Sequence, residues 1–215
     1  MELPSIPDDP HFWHVEQYEE FLTERRKRLA TELNAFLSGI TAAPAAPMEV
    51  SLEEMIAEGE NEDVEFKSSL RWDYKLEQPN KKLEDVILKT VAAFANCEGG
   101  TLLIGVKDDG EILGLDRDYG ALGGADKDKY ELHLRNLLND KMSKGFAAQR
   151  VRADFPTVDG KEICRVAVER SRRPIFLVMP DRNGQPAEKF FVRSGNSSQD
   201  LSMSEAQTYI DEHFD

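Results

Sequence analysis

The chain has 215 residues, of which 40% are hydrophobic and 32% are charged, and its formal net charge is −14. This length suits one domain of ordinary size with an appendage, and the composition suits a buried core under a well-solvated surface, which excludes a chain that is disordered overall. The longest apolar runs, such as 175–179, hold only a handful of residues, whereas a membrane-spanning helix needs about 20. We therefore expect no segment that spans a membrane.

The two cysteines and the N-terminus indicate the compartment. Cys97 and Cys164 lie far apart in apolar contexts, which suits a reducing cytoplasm and does not match the spacing of a zinc site. The first residues show no basic stretch followed by an apolar core, which a signal peptide would have. We therefore expect a cytoplasmic protein.

The negative charge is distributed unevenly along the chain. Residues 1–50 contain 4 basic and 9 acidic side chains, so the rest of the chain carries a net charge of −9. Within that rest, residues 163–195 hold 7 basic side chains against 3 acidic ones. This basic region is either a solvated face or an electrostatic docking surface, and the acidic surroundings argue against general affinity for polyanions.

Apolar residues between positions 14 and 38 recur at helical spacing and predict a long amphipathic helix. At about 1.5 Å per residue it would be roughly 37 Å long, too long to pack fully on one small domain. It is either an ordinary arm or a helix for dimerisation or docking of a partner. Residues 41–47 are rich in proline and alanine and predict a linker. The chain is therefore expected to divide into a helical arm at 1–47 and a folded domain at 48–215.

The predicted elements of the domain mix helices and strands without regular βαβ alternation, which indicates the α+β class. Ser51 with Glu54, and Ser202 with Glu205, form capping-box patterns that mark two helix starts. Residues 70–82 are expected to form an exposed polar loop. Helices are expected at about 51–58, 83–95, 130–142 and 202–212, and strands at about 64–68, 101–106, 111–115, 149–155, 162–169, 175–178 and 189–193.

Glu65 and Lys67 are the first candidates for chemistry. They stand two apart in a predicted strand, so their side chains point to the same face. A carboxylate beside an ammonium group can hold a divalent cation and orient a water molecule or a phosphate oxygen, and Glu60 can supply a further ligand. The alternative is a solvated edge strand, because this spacing is frequent by chance.

Asp108 follows the end of the strand predicted at 101–106. It is either a third carboxylate at the same metal ion or an ordinary turn residue before Gly110. The glycines around this strand do not form a phosphate-binding P-loop, because Val106 separates the second glycine from the lysine and no serine or threonine follows. Nucleotide hydrolysis of that type is excluded, and no histidine or cysteine stands in a setting suited to nucleophilic catalysis.

Several of these segments together resemble the Schlafen AlbA-like domain, a family also labelled divergent AAA or ATP-binding in bacterial proteins. The resemblance covers about residues 50–213, and the block around Gly99-Gly100 is its most specific part. It implies an α+β nucleic-acid-binding fold, here a mixed sheet with flanking helices preceded by the long N-terminal helix. The matching blocks, in the family's order, are Glu60 with 65–70 (EFKSSL), 93–106 (AFANCEGGTLLIGV), 108–110 with 114–115, and 190–198 (FFVRSGNSS).

The resemblance also implies site residues. In nuclease-active Schlafens a three-carboxylate site cuts structured RNA such as transfer RNA, and the matching positions here are Glu60, Glu65 and Asp108. These would bind Mg²⁺ or Mn²⁺, and Lys67 would steady phosphate or developing charge. No nucleotide cofactor is expected despite the ATP-binding label. The basic residues expected to grip the nucleic-acid backbone are Arg165, Arg172, Arg173, Lys189 and Arg193.

The leading hypothesis is therefore a metal-dependent endonuclease acting on RNA. A second hypothesis is a non-catalytic DNA- or RNA-binding or regulatory module in which the acidic residues only solvate a strand edge. A third is a protein-interaction subunit that works through the N-terminal helix. Schlafen cores pair two lobes into a cleft, so this single lobe would need a homodimer, assembled by helix 14–38. Fold alone does not decide among these functions.

Overall fold

The structure, a computed structural model, describes residues 21–33, 51–124, 126–181 and 183–214. The chain divides into two compact units, residues 1–50 and 51–215. The predicted linker at 41–47 and the predicted domain boundary after residue 47 lie outside the described residues.

The described part of the first unit is helical. Residues 21–33 form helix α1, and Leu29 and Leu33 on this helix are more than half exposed. The other parts of the predicted helix 14–38 lie outside the described residues. No helix in the described ranges is long and apolar enough to cross a membrane.

The second unit mixes helices with strands and confirms the expected α+β class. The helices are α2 (Leu52–Glu58), α3 (Lys82–Asn96), α4 (Asp116–Ala121), α5 (Lys127–Lys141), α6 (Lys144–Arg150) and α7 (Met203–His213). The strands are β1 (Val64–Lys67), β2 (Trp72–Asp73), β3 (Gln78–Pro79), β4 (Gly99–Ile104), β5 (Val151–Asp154), β6 (Thr157–Val158), β7 (Lys161–Glu162), β8 (Cys164–Glu169), β9 (Phe176–Pro180), β10 (Pro186–Ser194) and β11 (Ser197–Leu201).

The larger sheet has four strands in the order β1-β4-β8-β5. Strand β1 runs parallel to β4, whereas β8 runs antiparallel to both β4 and β5, so the sheet is mixed as expected. Leu102, Leu103 and Ile104 of the central strand β4 are completely buried. The β1 register pairs Glu65 with Leu102, and since β1 is the edge strand, Glu65 and Lys67 lie at the edge of the sheet.

Helix α3 packs against this sheet through residues at helical spacing, including Ile87, Val91 and Phe94, which are buried. The close approach depends on Gly100, because a Cβ atom there would lie 2.4 Å from the Phe94 ring and 2.8 Å from the carbonyl oxygen of Asp63. A contact that short is far inside ordinary van der Waals distance, so only glycine fits between helix and strand.

The smaller sheet has three antiparallel strands in the order β11-β10-β9. Helix α7 covers part of one face, where Ala206 packs with Phe190 and Val192 of β10. Both predicted capping boxes are present and are confirmed, at Ser51 before α2 and at Ser202 before α7.

The prediction of a plain polar loop at 70–82 is wrong, because residues 72–79 form the small hairpin β2–β3. The buried carboxylate of Asp118 on α4 anchors it. That carboxylate accepts the Ser69 hydroxyl at 2.5 Å and the backbone N–H groups of residues 70, 71 and 72 at 2.8 to 2.9 Å. Sequence periodicity gives no signal for such an anchor, since Asp118 lies 46 residues beyond Trp72.

Other departures from the sequence prediction are local. The strand expected at 111–115 reduces to an isolated bridge between Val106 and Ile112. Helices α4 and α6 and strand β11 are additional elements, and each is short. Elements of this length have too few residues for a clear hydrophobic period, and tertiary contacts stabilise them instead.

Candidate functional site

Glu60, Glu65 and Lys67 lie together at the start of the larger sheet, as their spacing predicts. The Lys67 Nζ atom lies 2.5 Å from Glu65 Oε1 and 3.7 Å from Glu60 Oε1. The same Glu60 oxygen accepts the Phe66 backbone N–H at 2.8 Å. An ammonium group therefore lies between two carboxylates, and all three side chains are mostly shielded from water.

Arg193 of β10 completes this cluster from the other sheet. Its Nη1 atom donates to Glu65 Oε2 at 2.8 Å, and its Nη2 atom donates to the carbonyl oxygen of Asn61 at 2.8 Å. The guanidinium group stacks over the Phe94 ring at 4.8 Å, and the side chain is only 4% exposed. The donors of Arg193 thus face protein acceptors in a buried setting, and its grip on phosphate stays a prediction.

These four side chains, the carboxylate cluster (Glu60, Glu65, Lys67 and Arg193), do not fit a divalent cation as they are arranged. A cationic group lies against each oxygen of Glu65, and the ammonium group occupies the space between the two carboxylates. Within the described ranges, no three His, Cys, Asp or Glu side chains gather into a group that could hold a metal ion. The three-carboxylate metal site thus stays a prediction of the family resemblance.

Asp108 lies on the exposed turn after β4. It lines a groove of about 440 Å³ together with Lys67 and with Trp72 and Tyr74 of the hairpin segment. Burial raises the pKa of the Tyr74 hydroxyl, so this group stays protonated near neutral pH. The groove therefore joins one member of the carboxylate cluster to the predicted third carboxylate, with aromatic rings on its wall.

The remaining predicted backbone-binding residues fall into two classes. Arg165 makes a two-pronged ion pair with Asp154, at 2.9 and 2.6 Å, and Lys189 pairs with Asp200. In contrast, Arg172 and Arg173 are exposed, and their guanidinium groups have no ion-pair or hydrogen-bond partner among the described residues. These two arginines are therefore the members of the predicted set whose charge is available to an external anion.

The loop that carries these arginines is held rigidly by the end of α3. Asn96 is 1% exposed, accepts the N–H of Ile175 at 2.8 Å, and donates to the carbonyl oxygens of Ile175 and Phe191 at 2.9 Å. The Ser171 N–H donates to Ala95 O at 2.8 Å. Both ends of the exposed arginine pair are thus fixed to the helix by hydrogen bonds.

A second groove, the arginine groove, opens beside this loop with a volume of about 580 Å³. Sequence reasoning did not single out Phe176, which is 38% exposed at this site, because it stood in an apolar run that reads as core strand. It also did not predict the hydrogen bonds by which Asn96 clamps the arginine loop, although the Ala-Phe-Ala-Asn block gave one signal for them. Six residues that characterise the lining are Phe146, Arg150, Arg172, Arg173, Phe176 and Glu188.

The chain is similar to a number of solved structures, including the following two. The DIP2311 protein from Corynebacterium diphtheriae is 21% identical with a TM-score of 0.47, and the alignment covers 89% of this chain but 30% of that one. The N-terminal domain of a RecG-related protein from Nitrosomonas europaea is 26% identical with a TM-score of 0.33, covering 55% of this chain and 76% of that one. No curated protein matches the chain. The chain thus spans less than a third of the DIP2311 protein.

Residues 60–202 match the family described as Schlafen, AlbA_2. The match takes in more than half of the chain and includes the carboxylate cluster, both glycines at the start of β4 and the arginine loop. A match to this family suggests nucleic-acid binding. The chain belongs to the Schlafen AlbA_2 family, as its motif blocks predict.

Proposed function

We propose that this protein binds nucleic acid and that Arg172 and Arg173 provide its principal phosphate contacts. The observation that carries the proposal is their availability. Both guanidinium groups are exposed and unpaired within the described ranges, on a loop fixed by Asn96. A guanidinium group presents donors that match a phosphate, and a fixed loop loses little entropy on binding.

The pairing pattern explains why these two arginines are favoured over the other predicted backbone-binding residues. Arg165 and Lys189 would have to leave Asp154 and Asp200 before they could neutralise a phosphate. Arg193 would have to leave a buried position, and Glu65 would then lose its ion-pair partner. Arg172 and Arg173 break no ion pair and leave no buried position when they bind a phosphate, so they contact the nucleic-acid backbone first.

The acidic total of −14 limits this binding to a restricted footprint. Phosphate contacts release condensed counterions and make affinity fall steeply with salt. Since most of the surface repels a polyanion, we expect contact mainly around the arginine loop rather than general affinity along the whole domain.

The test is fluorescence anisotropy with a labelled oligonucleotide over a range of salt concentrations. The double variant Arg172→Gln, Arg173→Gln should lower the slope of log affinity against log salt by about two, one for each lost phosphate contact. A matched control is Lys127→Gln, Lys129→Gln, which removes two exposed positive charges from α5. Failure of the wild-type protein to bind any oligonucleotide, or an equal loss in the lysine control, would contradict the proposal.

A second candidate function is the metal-dependent endoribonuclease, acting on transfer-RNA-like substrates with Mg²⁺ or Mn²⁺. The observations that favour it are the approach of Glu60, Glu65 and Lys67 and the shared groove of Lys67 and Asp108. The arrangement of Glu65 between two cations weighs against it, so we place it after simple binding.

Asp108→Asn gives the cleanest test of this second candidate. Asp108 is exposed on its turn, so its replacement leaves the buried part of the carboxylate cluster in place. If the protein is a nuclease, transfer RNA should be cut with Mg²⁺ or Mn²⁺ and not with EDTA, and cleavage should fall in Asp108→Asn but not in Asp109→Asn. Intact RNA under every condition would contradict the nuclease candidate, and nucleic-acid binding would remain as the only proposed function.

We extend the proposal to self-association and to the cellular compartment, and the preference for RNA belongs to the endoribonuclease candidate. We propose that helix 14–38 joins two copies, and the exposure of Leu29 and Leu33 within α1 supports this. Removal of residues 1–47 should then convert a dimer into a monomer, as judged by comparing the mass from sedimentation equilibrium with the mass of one truncated chain. A cytoplasmic setting is supported by Cys97 and Cys164, neither of which forms a disulfide.

A further inference from the structure

We infer that the arginine groove binds single-stranded nucleic acid, with Phe176 as the surface on which an unpaired base stacks. This inference rests on the proposed function and names its class of substrate. Proteins that bind single strands combine cations along the phosphate backbone with aromatic rings that stack on bases. The groove places both parts side by side, Phe176 and the unpaired Arg172 and Arg173.

The position of Phe176 follows from the strand that carries it. Along β9 the side chains alternate, so Leu177 and Met179 are buried in the core while Phe176 and Val178 line the groove. Phe176 contacts Phe190 with a centroid distance of 5.4 Å and an angle of 50° between rings. Its ring is therefore supported by Phe190 and still 38% exposed to the groove.

Helix α7 covers Phe190 but leaves its neighbour Phe176 partly exposed. Phe190 is only 2% exposed, and Tyr209 of α7 lies against it at 5.9 Å. An aromatic residue left partly uncovered beside a covered one, at the rim of a groove, suits contact with a ligand.

The charges around the groove favour an anionic occupant. Three arginines line it against a single glutamate, Glu188. Arg150 is engaged with Glu169 at 2.8 Å, which leaves Arg172 and Arg173 to meet phosphates. The volume of about 580 Å³ lies within the ordinary range for small-ligand sites and gives room for a base beside the backbone.

A single strand fits this arrangement better than a duplex. In a duplex the faces of the bases are stacked on one another and cannot reach a protein ring, whereas an unpaired base offers its face directly. Phosphate contacts alone serve both forms equally. Phe176 should therefore separate the two substrates, and the arginines should not.

The experiment compares Phe176→Leu with Phe176→Trp on a single-stranded oligonucleotide and on the corresponding duplex. Leucine keeps the apolar contact with Phe190 but removes the aromatic face, so single-strand affinity should fall about tenfold, within the range reported for loss of one stacked base. Tryptophan should retain the affinity. Neither variant should change duplex affinity by more than about twofold, and Met203→Ala, at a position 90% exposed on α7, is the matched apolar control.

The results of these measurements distinguish failure of the stacking inference from failure of the proposed nucleic-acid binding. Equal single-strand affinity of Phe176→Leu and wild type, with binding still lost in the double arginine variant, would overturn the stacking inference and leave the proposed function standing. Loss of binding in Phe176→Trp as well as Phe176→Leu, with unchanged melting temperatures, would also overturn it. Absence of wild-type binding would overturn the proposed function itself. A single strand containing 4-thiouridine, crosslinked by light and mapped by mass spectrometry, should label the peptide around Phe176.

Discussion

Arg193 and Glu65 join the two sheets of the domain through a buried ion pair of 2.8 Å between Nη1 and Oε2. Their side chains are 4% and 11% exposed, and the guanidinium group also bonds the carbonyl oxygen of Asn61 and stacks on Phe94. A motif glutamate predicted to bind metal and a motif arginine predicted to bind phosphate thus satisfy one another in this structure.

Glu65→Gln should destabilise the domain strongly. The substitution leaves Arg193 buried without its counterion, and loss of one partner of a buried pair costs about 3–5 kcal/mol. Urea unfolding should report a lower free energy of unfolding by that amount. Glu111→Gln is the matched control, because Glu111 is 55% exposed in its pair with Lys107 and should change stability by less than about 1 kcal/mol. A similarly small decrease in the free energy of unfolding in both variants would contradict a stabilising role of the Glu65–Arg193 pair.

Asn96→Asp should weaken the clamp on the arginine loop. The carboxylate cannot donate to the carbonyl oxygens of Ile175 and Phe191, and each buried group left unsatisfied costs about 1–3 kcal/mol. We expect a loss of at least about 2 kcal/mol in thermal or urea unfolding. The aspartate still accepts the Ile175 N–H, so hydrogen exchange at this amide should become faster only through the lower stability of the domain. Asn136→Asp makes the same chemical change at an exposed position of α5 and should leave both measurements unchanged.

Gly100→Ala should destabilise the packing of α3 on β4. The new Cβ atom would lie 2.4 Å from the Phe94 ring, and overpacking of this kind costs about 1–3 kcal/mol or more. Calorimetry should show a lower melting temperature. The opposite result is expected for Gly120→Ala in α4, where no atom lies within 4 Å and alanine favours the helix by up to about 1 kcal/mol. A neutral Gly100→Ala would contradict the observed closeness of helix and strand.

Cys164 should resist thiol reagents in the folded protein. Burial raises the pKa of its thiol well above the usual value, and nearby carboxylates act in the same direction. The thiolate is the reactive form, so labelling at pH 8 should be very slow until the protein unfolds. A Cys97→Ser variant treated with Ellman's reagent isolates this thiol, and Cys164→Ser gives the comparison with half-buried Cys97. Rapid labelling of native Cys97→Ser would contradict the burial of Cys164.

Local sequence patterns predicted the elements that carry their own signal. The capping boxes, helix α3 and the two glycines that lead from it into β4 follow from spacing and composition within a few residues, and strand β1 brings Glu65 and Lys67 to one face. The sequence predicts a loop where the hairpin β2–β3 forms, because the residue that anchors the hairpin, Asp118, is far along the chain.

The sequence by itself determined the class of fold, the family and the set of charged residues available for a site. Only the tertiary structure decided which of these charges pair with one another. Glu65 and Arg193 stand 128 residues apart, and Asn96 and Ile175 stand 79 apart, so no local period links them. An arginine buried against a carboxylate and one left open to solvent look alike in a sequence, because their difference depends on distances set when distant strands meet.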